Sequence, residues 1–394
     1  MESADVIARE LQRRFGASSA AFLIADFSGK SLVRMGAASQ DDSLSPKSER
    51  IALFGSVYGE AIRSQQCRII PGEEGGAPRI IAPVTNRGDA IGLLELTLAE
   101  EPGEEALQEM CADLGVMAHV LAYVVIANER FTDLYHWGRR TRPLSLAAEI
   151  QHQLLPRSLA CEAAQFAVAG AFEPAESIGG DTFDYVLDRH HLHLSVTDAM
   201  GHHVDAALIA SLLVGALRGA RRADVSLTEQ ARQADLALAA HGRGAFSTGQ
   251  LLRVDLRDGQ AHIINAGHPL PLRVRGSVVE QILLEVDLPF GMPFPHTYTA
   301  QSLELLPGDR LVMFTDGMLE HAAHDLDLTT LLEGTRGDHP REAAFTLTRA
   351  VLDANGGSLE DDATLMVLDW YGPHLTQRDA VGGADTSHAS PPAR

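Results

Sequence analysis

Two short stretches place an aspartate where a β-strand pattern gives way to a turn. One is Thr197-Asp198-Ala199-Met200 within LSVTDAMGHHVDAALIAS (194–211); the other is Thr315-Asp316-Gly317-Met318 within LVMFTDGMLEHAA (311–323). Two further acidic positions share the setting: Asp181 follows Gly179-Gly180 at a strand start, and Asp361-Asp362 stand directly before the apolar stretch 364–370. Each has glycine or alanine beside it, and small residues let backbone approach a bound group closely. One such aspartate is ordinarily a turn residue or a helix cap. Four in matching settings, distant in sequence, imply carboxylates brought to a common place. Carboxylates gathered in this way repel one another unless protonated or bridged by cations. An all-oxygen donor set, with no cysteine or histidine cluster at ligand spacing, selects Mg²⁺, Mn²⁺ or Ca²⁺. Two such ions about 3.5–4 Å apart share a water, lower its pKa and supply a nucleophile for in-line attack on phosphorus. The chemistry implied is hydrolysis of a phosphate ester.

Positioning those residues requires a mixed α/β domain of many short strands, which the pattern predicts from about 156 to 371. Upstream, residues 1–103 alternate helix and strand signals. AAFLIADF (20–27) and KSLVRMG (30–36) read as a hairpin, IALFGSVYGEAIRS (51–64) as a helix, and RIIAPVTNRGDAIGLLELTL (79–98) as two strands around Arg87-Gly88-Asp89. Between the two domains, Leu107, Met110, Leu114, Met117, Leu121, Val124, Asn128 and Phe131 recur in steps of three and four, a heptad a/d series. Asn128 falls on an a position, where a polar residue fixes register. Val125 and Ala127 flank the seam where charges would sit in a simple two-stranded coil, so a bundle with neighbouring helices is expected rather than a free zipper. The expectation is a parallel homodimer through a helical linker, 104–155, completed by the connector YHWGRRTRPLSLAAEIQHQLLP (135–156). The tail 372–394 is polar, aperiodic and rich in Gly, Ser and Pro, and is expected to be disordered.

Bulk composition narrows the partners. The chain has 394 residues and a formal net charge of −21, which argues against nucleic acid or an anionic membrane surface as the main partner. Cys67, Cys111 and Cys161 are widely spaced and odd in number, neither a disulfide framework nor a zinc pattern, which points to a reducing compartment. MESADVIARELQRR opens as an amphipathic helix rather than a signal peptide, and no apolar run reads as membrane-spanning, VMAHVLAYVVIA (116–127) being too short. A cytoplasmic protein is expected.

In order, QHQLLP, IGGDTFDY, VTDAMGHH followed by DAAL, INAGHPLPLRVR, LPGDRLVMFTDGMLE and LEDDATLMV resemble the SpoIIE-type branch of the PPM metal-dependent serine/threonine protein phosphatases. The resemblance covers roughly 145–370. It implies an α-β-β-α sandwich holding two Mn²⁺ or Mg²⁺ ions at one end. By motif, Asp198 would bridge the metals with the Ala199 carbonyl as a further ligand, and Asp316 and Asp361 would complete one ion's shell. Asp181 would serve the other ion or its waters, and Asp362 would lie behind the ligands. Many members carry Gly after the Gly-His of this turn, where this chain has His203. Met200 occupies the position at which eukaryotic relatives place a histidine as candidate general acid. His202 is then the remaining candidate for protonating the leaving oxygen, and Arg243 in HGRGAFSTG for binding phosphate; His268 is expected to pack in a turn. Residues 1–103 resemble a GAF sensor domain, and Cys67 reads as a buried apolar cysteine in preference to a chromophore attachment or a redox sensor. The resemblance implies a phosphorylated anti-anti-sigma factor of the STAS fold as substrate. Two other readings stay open: a catalytically silent scaffold and a hydrolase of small phosphate esters.

Overall fold

Alternation of apolar and polar residues along the strands builds two separate units, each around its own core. The computed structural model describes residues 2–35, 49–72, 78–100, 102–141, 143–175, 179–319, 327–374, 377–378 and 380–391. Residues 1–143 with 378–394 form one unit and 144–377 the other.

The first unit is an α+β domain on one antiparallel sheet. Its strands are β1 (Ala17–Ala25), β2 (Ser31–Met35), β3 (Arg50–Ala52), β4 (Arg68–Ile70), β5 (Arg79–Asn86) and β6 (Asp89–Leu98), in the spatial order β3-β2-β1-β6-β5-β4. Both hairpins foreseen from the sequence are present, β1 with β2 and β5 with β6. The segment 51–64 opens as strand β3 rather than helix. Only Val57–Ser64 (α2) is helical, with Ser56 capping it by accepting from the Gly59 N–H at 3.2 Å. Helices α1 (Glu2–Phe15) and α3 (Glu104–Asn128) share a core with the sheet through Leu11, Ile80, Ala82, Leu94, Leu114, Leu121 and Val125. On the other side α2 packs Tyr58, Ala61 and Ile62 against Leu23, Ile81 and Leu93. Helix α4 (Leu134–Arg139) completes the unit.

Three expectations are corrected here. The segment 104–155 is not a free-standing linker: α3 and α4 belong to the first unit, and only α5 (Leu146–Leu154) belongs to the second. The heptad seam also faces inward. Leu114 and Leu121 are buried in the domain's own core, and Asn128 donates to the Val124 carbonyl at 2.7 Å instead of marking a register between chains. The heptad was real, but its partner is the sheet. Tail residues 380–391, expected to be disordered, are ordered on the first unit. The Gly88 N–H donates to the Gly383 carbonyl, the Ser390 N–H donates to the Arg63 carbonyl, and Ala384 is buried. Tail residues 375–376, 379 and 392–394 lie outside the described residues.

The second unit is a four-layer α-β-β-α sandwich. One sheet holds β9 (Asp181–Leu187), β10 (His191–Ala199), β11 (Ser247–Asp255), β12 (Ala261–Ala266) and β15 (Gln301–Leu303), in the order β15-β12-β11-β10-β9. The other holds β7 (Ala160–Glu162), β8 (Phe166–Glu173), β13 (Leu272–Arg275), β14 (Val278–Gln281), β16 (Asp309–Phe314) and β17 (Ala363–Trp370), in the order β14-β13-β16-β17-β8-β7. Phe166, Phe183, Leu194, Val196, Leu252, Leu311, Met366 and Trp370 fill the space between the sheets. Helices α6 (His203–Arg222) and α7 (Leu227–His241) cover the outer face of the first sheet through Leu213, Ala231 and Leu238. Helices α8 (Leu328–Gly334) and α9 (Pro340–Ala354) cover the second through Leu332, Leu347 and Val351.

Among the described residues, α3 and α6 are long and apolar enough to cross a membrane by length and composition, contrary to the sequence reading. Each buries one face in its own domain, through Leu114, Leu121 and Val125 on α3 and Leu213, Val214 and Leu217 on α6.

Candidate metal centre

Strand parity explains why the acidic residues meet. On β10, Leu192, Leu194 and Val196 point between the sheets, so period-2 alternation carries Asp198 to the same face. Asp181 is its direct cross-strand partner at the start of β9. On β16, Leu311 and Met313 point inward, so Thr315 follows them. On β17, Met366 and Leu368 do the same, and the parity reaches back through Thr364 to Asp362. The β10 and β16 ends and the β9 and β17 starts thus lie at one edge of the inter-sheet core, and there the apolar layer changes to carboxylates.

Specific contacts tie the four strands together. The Thr315 hydroxyl donates to Asp181 Oδ2 at 2.6 Å, and the Thr315 N–H donates to the Thr364 carbonyl at 3.0 Å. Asp362 accepts at both oxygens: Oδ1 from the Ala175 N–H at 2.8 Å, Oδ2 from Gln151 Nε2 at 2.6 Å and the Gly180 N–H at 3.1 Å. Asp361 Oδ1 accepts from the Asp362 N–H at 2.8 Å. Asp316 opens a 3₁₀ turn, Asp316–Met318, and is exposed. The glycines make the approach possible. A Cβ on Gly180 would stand 2.3 Å from the Ala199 carbonyl oxygen, and one on Gly317 would stand 2.0 Å from the Asp362 carbonyl oxygen. No other residue fits either place.

The electrostatics are those of crowded negative charge. Burial, then the charges of Asp198 and Asp362, raise the pKa of Asp181 well above the ordinary carboxylate range, against the pull of the Thr315 hydroxyl. Asp362 is raised to about 6, chiefly by burial, although Gln151 and the backbone N–H donors oppose this. Asp361 is raised by burial and by the charge of Asp316. The cluster therefore favours a proton or a cation.

By type the donors suit hard divalent ions, although among the described residues no three of these carboxylates bring their oxygens within 4.8 Å of one another. The carboxylates of Asp181, Asp198, Asp316 and Asp361 and the Ala199 carbonyl are all oxygen donors. Asp362, engaged on both oxygens, suits an orienting role behind them. His202 is exposed, and its ring packs edge-on against His203 at 5.0 Å between centroids. His203 adopts φ 57°, the left-handed conformation in which the resemblance expects glycine, at a cost on the order of 1 kcal/mol. Arg243 is exposed in the loop whose Phe246 carbonyl accepts from the Met200 N–H, which places that loop beside the Asp198 turn.

Some residues of the site carried no signal of their own in the sequence. Gln151 is buried on α5, where its Nε2 also reaches the Asp181 carbonyl at 3.0 Å. It sits inside the QHQLLP motif, the one clue to it. His268 bonds Thr248 at 2.9 Å, and Thr248 is the cross-strand partner of Asp198. Burial lowers the His268 pKa to about 3, so the ring is neutral and structural. A separate group, Asp188, His191 and His193, brings candidate ligand atoms within 4.8 Å of one another. His191 lies seven residues from Asp198 along β10, about 23 Å at the usual rise, so this group is not part of the carboxylate cluster.

Residues 188–371 match the family model described as Stage II sporulation protein E (SpoIIE). Over these residues the C-terminal domain is similar to the SpoIIE family. Among curated relatives of this SpoIIE-type domain, the phosphoserine phosphatase RsbP of Bacillus subtilis is 25% identical over 221 residues, 54% of this chain and 52% of RsbP. Stage II sporulation protein E of the same organism is 29% identical over 127 residues, 31% of this chain and 15% of that protein. The chain thus spans about half, or less, of the length of these two relatives. One solved structure, the phosphatase domain with a regulatory fragment of B. subtilis SpoIIE, has a TM-score of 0.47 at 22% identity, covering 53% of this chain and 65% of that one. The RsbU and RsbW domains of a Mycobacterium tuberculosis protein give 0.48 at 24% identity, over 53% and 61%.

Proposed function

We propose that this chain is a metal-dependent phosphoserine/phosphothreonine protein phosphatase whose N-terminal unit is a GAF-like sensor regulating it. What supports the reading is the pairing of Asp181 with Asp198 beside Asp362 at the edge of the sandwich core, with Asp361 next to Asp362 and close enough to Asp316 to feel its charge. Two Mn²⁺ or Mg²⁺ ions held by these residues and the Ala199 carbonyl would supply an activated water. The chain's own residues do the rest. The Thr315 hydroxyl fixes the rotamer of Asp181. Asp362, held by Gln151 and three backbone N–H groups, locks α5, β9 and β17 around the ligands. The exposed His202 is the candidate proton donor to the leaving serine oxygen, and Arg243 the candidate phosphate contact.

The substrate proposed is a phosphorylated anti-anti-sigma protein of the STAS fold, because the relatives RsbP and RsbU are phosphoserine phosphatases and the motif resemblance points to that partner. The test is phosphate release from a phosphoserine STAS domain and from p-nitrophenyl phosphate, with Mn²⁺ and with EDTA. Mn²⁺-dependent release from the protein, far faster than from the ester, is expected. Comparable rates on both would identify a small-ester hydrolase, and no release from either a silent scaffold.

Dimerisation is also proposed, through a different stripe of α3 from the one read in the sequence. Val116, Val120 and Tyr123 are about half exposed on the face away from the domain core. Full chain and the fragment 144–377 should differ in both mass and rate. Light scattering should give two chains for the first and one for the second, with unequal turnover. A monomeric full chain, or identical rates, would count against dimerisation or regulation respectively.

A further inference from the structure

We infer that Cys67 and Cys111 are a thiol pair that closes into a disulfide when the protein meets a peroxide. The two cysteines are 44 residues apart in sequence, yet their sulfurs stand 2.6 Å from one another, with the Cys67 thiol donating to Cys111. Chain topology brings them together. Cys67 directly precedes β4, the edge strand paired to β5, and Cys111 lies on α3, whose core face packs over that sheet. Both are free thiols, half buried at the rim of the first unit's core and so within reach of a small oxidant. A disulfide at about 2.05 Å requires adjustment of side chains rather than of the helix or strand.

The pair is also chemically asymmetric. The hydrogen bond from Cys67 lowers the pKa of the Cys111 thiol, while the same bond and burial raise that of Cys67. Cys111 is therefore the attacking thiolate, since the thiolate is the reactive form. Its sulfur attacks one peroxide oxygen; the O–O bond breaks, giving Cys111 sulfenic acid and a hydroxide that takes up the thiol proton as water. The Cys67 sulfur then attacks the Cys111 sulfur. The S–O bond breaks, a second water leaves with the Cys67 proton, and the S–S bond forms. Two thiols are oxidised by two electrons and one peroxide is reduced to two waters. The product ties α3 to the sheet edge. Cys161 is an internal control: it is buried in the other unit, 3.9 Å from the Glu162 carbonyl.

This inference stands whether or not the C-terminal domain hydrolyses phosphate. The test uses the reduced full chain, hydrogen peroxide near stoichiometric amounts, alkylation and peptide mapping under non-reducing conditions. One Cys67–Cys111 cross-linked peptide is expected, reversed by dithiothreitol, with Cys161 still alkylated. Cys67→Ser should leave a Cys111 sulfenic acid that a 1,3-dione reagent traps, and Cys111→Ser should slow oxidation of Cys67 at least ten-fold. The inference fails if both thiols stay alkylatable after peroxide, if only links between chains form, or if Cys161 oxidises as fast as Cys111. Should either serine variant misfold, the wild-type peptide map decides alone.

Discussion

Asp198→Asn and Asp316→Asn are each expected to reduce Mn²⁺-stimulated phosphate release at least ~1000-fold, a loss of about 4 kcal/mol of transition-state stabilisation. The size follows from position. Asp198 ends β10 on the inward face, paired directly with Asp181, where a divalent ion would meet both sheets. An amide there keeps the shape but removes the negative charge that offsets the cation and holds it against water. Asp316 is the one cluster member standing exposed, at the head of a 3₁₀ turn whose Gly317 presses on the Asp362 carbonyl. Asn at 316 leaves that packing untouched, so lost activity in a variant with native circular dichroism and melting would be a loss of chemistry alone. Asp362→Asn should behave differently. It would place an amide donor among the N–H groups that now surround the carboxylate, and instability should accompany the lost rate. Wild-type turnover in either the Asp198 or the Asp316 variant would show that the reaction occurs elsewhere.

How far the sequence anticipated this arrangement depended on whether the signal was local. The TDAM and TDGM turns were legible because strand, aspartate and small residue are contiguous; period-2 parity carries Asp198 to the inner face, whereas on β16 it turns Thr315 inward and leaves Asp316 exposed on the 3₁₀ turn. Apolar spacing on α3 was equally visible, but periodicity names a face and not its partner. The same Leu114 and Leu121 serve a sheet or a second helix equally well, and here they serve the sheet. Gln151 and Thr315 escaped notice because a buried glutamine or threonine is recognisable only by its partners, and Asp181 and Asp362 are far away in sequence. The tail's composition argued for disorder, since it has little to bury. Its order rests instead on backbone bonds to Gly88 and Arg63, and composition does not encode these.

Asp181→Asn is expected to raise the melting temperature of the metal-free protein at pH 7.5 while abolishing the upward shift that Mn²⁺ gives the wild type. In the folded chain Asp181, Asp361 and Asp362 all have pKa values above those of the unfolded chain. A carboxylate of this kind binds its proton more tightly when folded. Its stabilising contribution is therefore complete below the unfolded pKa near 4 and disappears as pH rises through the folded value. For Asp362 the rise from 3.8 to about 6 corresponds to about 3 kcal/mol, lost across the window from pH 4 to somewhat above 6. The charges of Asp198 and Asp362 both contribute to the rise at Asp181, so these carboxylates titrate together. Buried His268 works in the opposite sense. Its pKa is lowered to about 3, and its contribution, present above about 6.5, is lost as pH falls. The difference in melting temperature between wild type and Asp181→Asn cancels that histidine and isolates the cluster. In EDTA the difference should be smallest at low pH and should grow as pH rises, because the carboxyl resembles the amide only while it keeps its proton. A divalent ion reverses the balance, because it favours the ionised carboxylates that the metal-free fold resists. Mn²⁺ should thus stabilise the wild type most at pH 7.5 and leave the variant unmoved. A variant that melts lower than wild type by the same margin at every pH would mean that Asp181 serves packing, and that the repulsion inferred at this edge of the sandwich is not what governs its stability.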